Sequence, residues 1–214
     1  MAEWLANQLG SDSVKAKRAG ELSKADLVTN MVYEFADMQG IAGQYYAAAQ
    51  GEDAEVAQAL KEQYLPKFAG DALPETKTGI VLALADRLDT LSGIFGIGQS
   101  PTGSKDPFAL RRSSLAVLRL LVEKNLDLDL KTLLEESYRL HSIVDDGKQN
   151  IDKNETDPTG VALSYMLDRF RSWYEDAGVP IAIYQSVAAK QLTCPLDINT
   201  VSYTHLTLPT IYSV

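Results

Sequence analysis

Apolar residues return at three- and four-residue intervals along most of the chain, and no stretch alternates apolar with polar or carries a hairpin turn, so the pattern predicts an all-α protein. A long helix is expected from Ser11 or Ser13 to about Met38, with Leu22, Ala25, Val28, Met31, Val32 and Phe35 on one broad apolar arc. Gly40 and Gly43 interrupt it. A second helix follows through Tyr45, Tyr46 and three alanines. A third covers residues 52–64 and stops at Pro66, which cannot continue a helix. From Lys77 to about Phe95, Val81, Leu84, Ala85, Leu88 and Leu91 recur at helical spacing and mark a buried core helix. Four glycines then break the chain. Residues 107–124 present Leu110, Leu115, Leu118, Leu121 and Val122, and another helix starts at Asp127 or Asp129 and runs through Tyr138.

Residues 145–158 are almost wholly polar and read as a linker or long loop. Two further helices, about 160–177 and 180–190, are too few to bury themselves and should pack on the first part or on other sequence. The organisation expected is therefore a helical domain over 1–144, the polar segment, and a helical segment over 159–198. The end of the chain, 199–214, has no Asp, Glu, Lys or Arg and leaves the helical pattern. It reads as a non-native tail, similar to translated sequencing-adapter sequence.

The 214 residues suffice for a core without disulfide staples. The single cysteine, Cys194, cannot form an internal disulfide. No leader or membrane-length apolar run is visible, so the expected location is cytoplasmic, with no membrane partner. A net charge of -9 argues against a free-standing nucleic-acid binder, because phosphate contacts need a basic surface, so any such role must be local or shared with partners. Cations do cluster locally, at Lys15, Lys17, Arg18 and Lys24, and at Arg111, Arg112 and Arg119.

Candidate chemistry is sparse. His141 and His205 are the only histidines, so a Ser-His-Asp triad or a histidine-rich metal site is hard to build, and no P-loop or dinucleotide fingerprint occurs. Cys194 precedes Pro195 with no visible base. Two features remain. Asp106 and Pro107 can open a helix whose first turn carries Arg111 and Arg112, two guanidinium forks suited to phosphate or carboxylate, or else to local ion pairs. On a helical wheel Lys24 falls inside the apolar arc and Asp26 on its polar flank. A lysine facing a core needs a carboxylate, which Asp86 could supply from another helix.

The segments 22–40, 83–91 and 101–112, in particular Ala83-Leu-Ala-Asp-Arg-Leu-Asp-Thr-Leu91 and Ser104-Lys-Asp-Pro-Phe-Ala-Leu-Arg-Arg112, resemble the β subunit of two-subunit bacterial glycyl-tRNA synthetase, over about residues 1–198. The resemblance implies an internal fragment with an HD-domain-like helical bundle and additional C-terminal helices. Active members of the HD fold bind metal through a histidine, a His-Asp pair and a later aspartate. Here Ala25-Asp26 stands where the pair would be, next to Lys24, and Asp86 resembles the later aspartate, so the implied site is degenerate, with no catalytic residue and no metal. The family also implies that ATP is used on a separate α subunit and that this fragment needs no cofactor. Its role would be tRNA binding and assembly, with the α subunit, a second β subunit in an α2β2 enzyme and glycine tRNA as partners. Lys105, Arg111 and Arg112 are then the candidates to contact tRNA phosphate or to brace a neighbouring domain. The alternatives are a metal-dependent HD-type phosphohydrolase built on Asp26 and Asp86, and a purely structural helical module.

Overall fold

A computed structural model describes residues 1–101, 106–144, 157–176, 178–190 and 192–207. Lys105 and almost all of the polar segment 145–158 lie outside the described residues. Among those described there is no strand, and the protein is all-α. It divides into two compact units, Met1–Thr90 and Leu91–Val214, inside a helix rather than at a polar stretch.

The first unit holds α1 (Ala2–Gln8), α2 (Ser13–Leu22), α3 (Asn30–Glu34), α4 (Ile41–Ala49), α5 (Ala54–Glu62) and the start of α6 (Lys77–Gly96). The Asp12 carboxylate caps α2 by accepting from the amides of Val14 and Lys15, both at 3.0 Å, and Asp53 caps α5 through the Glu55 amide at 2.8 Å. Alanine makes the seams close. Ala19, Ala47, Ala57 and Ala59 are buried together with Val56, Leu60 and Leu82, so α2, α4 and α5 approach closely and each buried aliphatic chain contributes roughly 2 kcal/mol of transfer free energy. Val81, Leu84, Ala85 and Leu88 of α6 are buried, as their spacing predicts.

The single long helix predicted from Ser13 to Met38 does not form. Lys24 adopts a left-handed conformation (φ 62°), and the chain continues as a 3₁₀ turn over Ala25–Val28, the short α3, and a second 3₁₀ turn over Ala36–Met38. A left-handed residue ends a helix because the following amides can no longer reach back four carbonyls. The predicted apolar arc is consequently dispersed: of its members only Val32 is buried, while Val28, Met31 and Phe35 are exposed.

In the second unit α7 (Leu110–Glu123), α8 (Leu130–Val144), α9 (Pro158–Asp176), α10 (Ile181–Ala188) and α11 (Pro195–Thr207) follow the end of α6. Ala162, Met166, Phe170 and Tyr174 form a buried stripe at four-residue spacing on α9, which packs on α7, α8 and α10. The expectation that helical pattern ends at residue 198 is corrected by α11. Pro195 and Asp197 open that helix, which continues past residue 198, and within it the hydroxyls of Thr200, Ser202 and Thr204 each donate to the carbonyl four residues back. Among the described residues no helix is long and apolar enough to cross a membrane.

Candidate functional site

The degenerate pair sits in the first unit. Because the helix ends before Lys24, the 3₁₀ turn directs Asp26 inward, and it is only 4% exposed, in contrast to the polar flank predicted for it. Its carboxylate accepts a 2.6 Å hydrogen bond from the Gly40 amide, one of the orphan donors at the start of α4, and a 3.3 Å bond from the Tyr64 hydroxyl. Two glycines make room. A β-carbon at Gly40 would lie 2.8 Å from the Tyr64 ring, and one at Gly43 would lie 3.3 Å from Asp26 Cγ. Ala25, beside it, is exposed.

Lys24 does not face the core. Its side chain is 44% exposed and its ammonium pairs with the Asp86 carboxylate on α6, the partner that the sequence argument proposes for it. Tyr64 feels both carboxylates: burial, with the charges of Asp26 and Asp86, pushes its hydroxyl up to about 12. A neutral phenol and an ammonium thus occupy the neighbourhood of the two aspartates. These residues do not fit a catalytic metal. Asp26 spends both oxygens on internal donors, Asp86 is matched by Lys24, and no imidazole joins them. Among the described residues no three His, Cys, Asp or Glu side chains are arranged to hold an ion.

The cluster of cations near the start of the chain is absorbed by ion pairs. Arg18 forks onto Glu52, with contacts of 2.5 and 3.1 Å, and also reaches Glu21. Lys15 meets Asp53 at 3.1 Å and Glu55 at 3.4 Å, and Lys17 meets Glu3 at 3.8 Å. The Arg18 guanidinium holds the Glu52 carboxyl below its ordinary range.

The cationic turn lies in the second unit and differs from its predicted form. Pro107 and Phe108 make a turn, Ala109 is left-handed (φ 55°), and α7 starts at Leu110, three residues later than expected. Asp106 still caps it, accepting from the amides of Leu110 (2.8 Å) and Arg111 (3.0 Å). Those are two of the amides a phosphate would otherwise take, so an anion there must be held by side chains. Arg111 is half-buried beside the Tyr165 hydroxyl, whereas Arg112 is exposed. Arg169 stacks over the Tyr165 ring at 5.0 Å and contacts Asp168 at 2.5 Å. Sequence reasoning missed Tyr64, Tyr165 and Arg169. The first is tied to Asp26 by tertiary contact alone, and the last two share one face of α9 at four-residue spacing, a signal that was legible. Cys194 is half-buried, and burial pushes its thiol up, so it is a poor nucleophile.

Residues 1–189 match the family model of the glycyl-tRNA synthetase beta subunit. The chain is 52% identical over 199 residues to the glycine–tRNA ligase beta subunit of Klebsiella pneumoniae subsp. pneumoniae, and equally so to that of Shigella boydii, covering 93% of this chain and 28% of each relative. The beta subunit of Chromohalobacter salexigens is 51% identical over 197 residues, with 92% and 28% covered. The chain therefore spans under a third of the length of the curated relatives it matches. With the family model running through nearly nine-tenths of the sequence, including both the Lys24–Asp86 cluster and the Asp106–Arg112 turn, the chain belongs to the glycyl-tRNA synthetase beta-subunit family.

Proposed function

We propose that this chain serves a glycine–tRNA ligase by supporting tRNA binding and subunit architecture, and performs no chemistry of its own. What carries the reading is the internal satisfaction of Asp26 and Asp86 by Gly40, Tyr64 and Lys24, in a chain of this family. ATP and glycine are handled on the α subunit, the fragment holds no cofactor, and the α subunit, a second β subunit of an α2β2 enzyme and glycine tRNA are its partners. The working enzyme is cytoplasmic.

RNA contact falls on the second unit, with Arg112 and Lys105, which precedes the described start of this turn in sequence, meeting phosphate, while Arg111 holds the turn against Tyr165. An overall charge of -9 makes such contact local and salt-sensitive. The test is titration of the chain with glycine tRNA and a non-cognate tRNA across a salt series. Cognate-preferring binding that weakens with salt supports the reading. Absence of binding at low salt removes RNA contact from this segment and leaves architecture alone.

A further inference from the structure

Between residues 25 and 60 the chain has no lysine or arginine, and within that span large apolar side chains stand out from the surface. Val28 is 90% and Tyr33 84% exposed, and Met31, Phe35, Tyr45 and Tyr46 are exposed with them. They belong to one piece of structure, because the 3₁₀ turn carrying Val28 packs on both α3 and α4. Single exposed apolar residues are ordinary, but a group of six at this density marks an interaction surface. Its tyrosines, phenylalanine and methionine are the residue types enriched where proteins meet.

Next to the patch lies a cavity of about 340 Å³. Leu22, Ala25, Tyr46 and Leu60 supply an apolar wall, and Asp26 and Glu52 supply carboxylates. Both carboxylates are already engaged, Asp26 by the Gly40 amide and the Tyr64 hydroxyl and Glu52 by Arg18, so what the cavity offers an incoming side chain is its apolar wall. Glu34 and Asp37, both exposed, add negative charge beside the patch, which repels nucleic acid and favours a basic-rimmed protein face.

We infer that this surface is a docking site within the longer β-subunit polypeptide, covered by a segment outside the present chain that presents apolar side chains to the patch and its cavity and carries lysine or arginine at its rim, facing Glu34 and Asp37. The length of the relatives favours a source in the same polypeptide: this chain covers 28% of them, so most of their sequence is available to fold back. A tethered segment acts at high effective concentration, so a modest apolar patch is enough to hold it. The inference does not depend on RNA contact, and a failed tRNA titration leaves it intact.

The test compares the chain with a chimera in which its residues 1–189 replace the matching segment of the Klebsiella relative. Tyrosines are nitrated with tetranitromethane and followed by peptide mass spectrometry. Tyr33 and Tyr45 should react at least tenfold more slowly in the chimera without α subunit. Equal rates in the two proteins overturn the inference. So does slowing that appears only when α subunit is added, which moves the surface to a subunit interface. In parallel, Val28→Asp combined with Phe35→Asp should lower the melting temperature of the chimera by several degrees and leave that of the chain unmoved. An equal drop in both overturns it, because the patch would then belong to this chain's own packing.

Discussion

Gly79 lies against the buried carboxylate of Glu62, in the space that a β-carbon would need. Glu62 is held there by Gln58 Nε2 at 3.0 Å and by the amide and hydroxyl of Thr76 at 3.1 and 2.6 Å, so it cannot swing aside without losing those bonds. Gly79→Ala should improve intrinsic helix propensity by about 1 kcal/mol yet lower net stability by about 2 kcal/mol through overpacking. Chemical denaturation measures the balance, and a stabilised variant would show that the contact has slack.

Arg87 is buried and donates to three carbonyls, those of Gln63 and Ala83 at 2.9 Å and of Pro66 at 3.1 Å. A single ammonium cannot span that fan. Both Arg87→Lys and Arg87→Met should therefore destabilise the protein by about 3 kcal/mol, since each leaves buried carbonyl groups without donors. If the lysine variant melts with the parent, the fork is not what secures residues 63–66 to α6.

The Tyr64 hydroxyl reports on the Asp26–Asp86 cluster through its own ionisation. An unfolded tyrosine ionises near 10, and burial together with the two aspartates pushes Tyr64 up to about 12. The folded state favours the neutral phenol, so this contribution to stability is complete below about pH 10 and is lost as the pH rises through about 12. An alkaline absorbance titration should contain a late phase that Tyr64→Phe removes. A Tyr64→Phe protein with an unchanged titration curve would mean that the hydroxyl is not enclosed as described.

Arg111 and Arg112 are adjacent in sequence and differ in setting, so their alanine variants should separate. Arg111→Ala removes the cation beside Tyr165 and should lower thermal stability by a few degrees. Arg112→Ala should leave the melting temperature alone and, if RNA meets this turn, reduce the salt slope of tRNA binding by about one. Matching effects from the two variants would merge roles that the geometry keeps apart.

The heptad-like spacing on α6 made its buried face legible, because a continuous helix converts sequence interval directly into direction. The same arithmetic failed between Lys24 and Met38, where one left-handed residue rotated what followed it. It joined Lys24 to Asp86 correctly while misplacing both Lys24 and Asp26 relative to the core. No local signal announces a left-handed lysine. Gly40 and Gly43 were visible as interruptions, but their purpose, admitting Tyr64 and Asp26 to close approach, exists only in three dimensions. In the second unit Asp106 was identified as a cap, and the turn over Pro107 and Phe108 delayed the helix it caps.

Carbonyl oxygens take up no protons in acid, whereas the carboxylates of Glu52 and Asp53 do. Acidification below the carboxylate range removes the Arg18–Glu52 and Lys15–Asp53 ties between α2 and the start of α5, but offers Arg87 nothing to release. Loosening in acid therefore has a direction: the outer strapping of α2 slackens first, and the reversal that follows α5 stays fastened to α6 until the interior itself gives way.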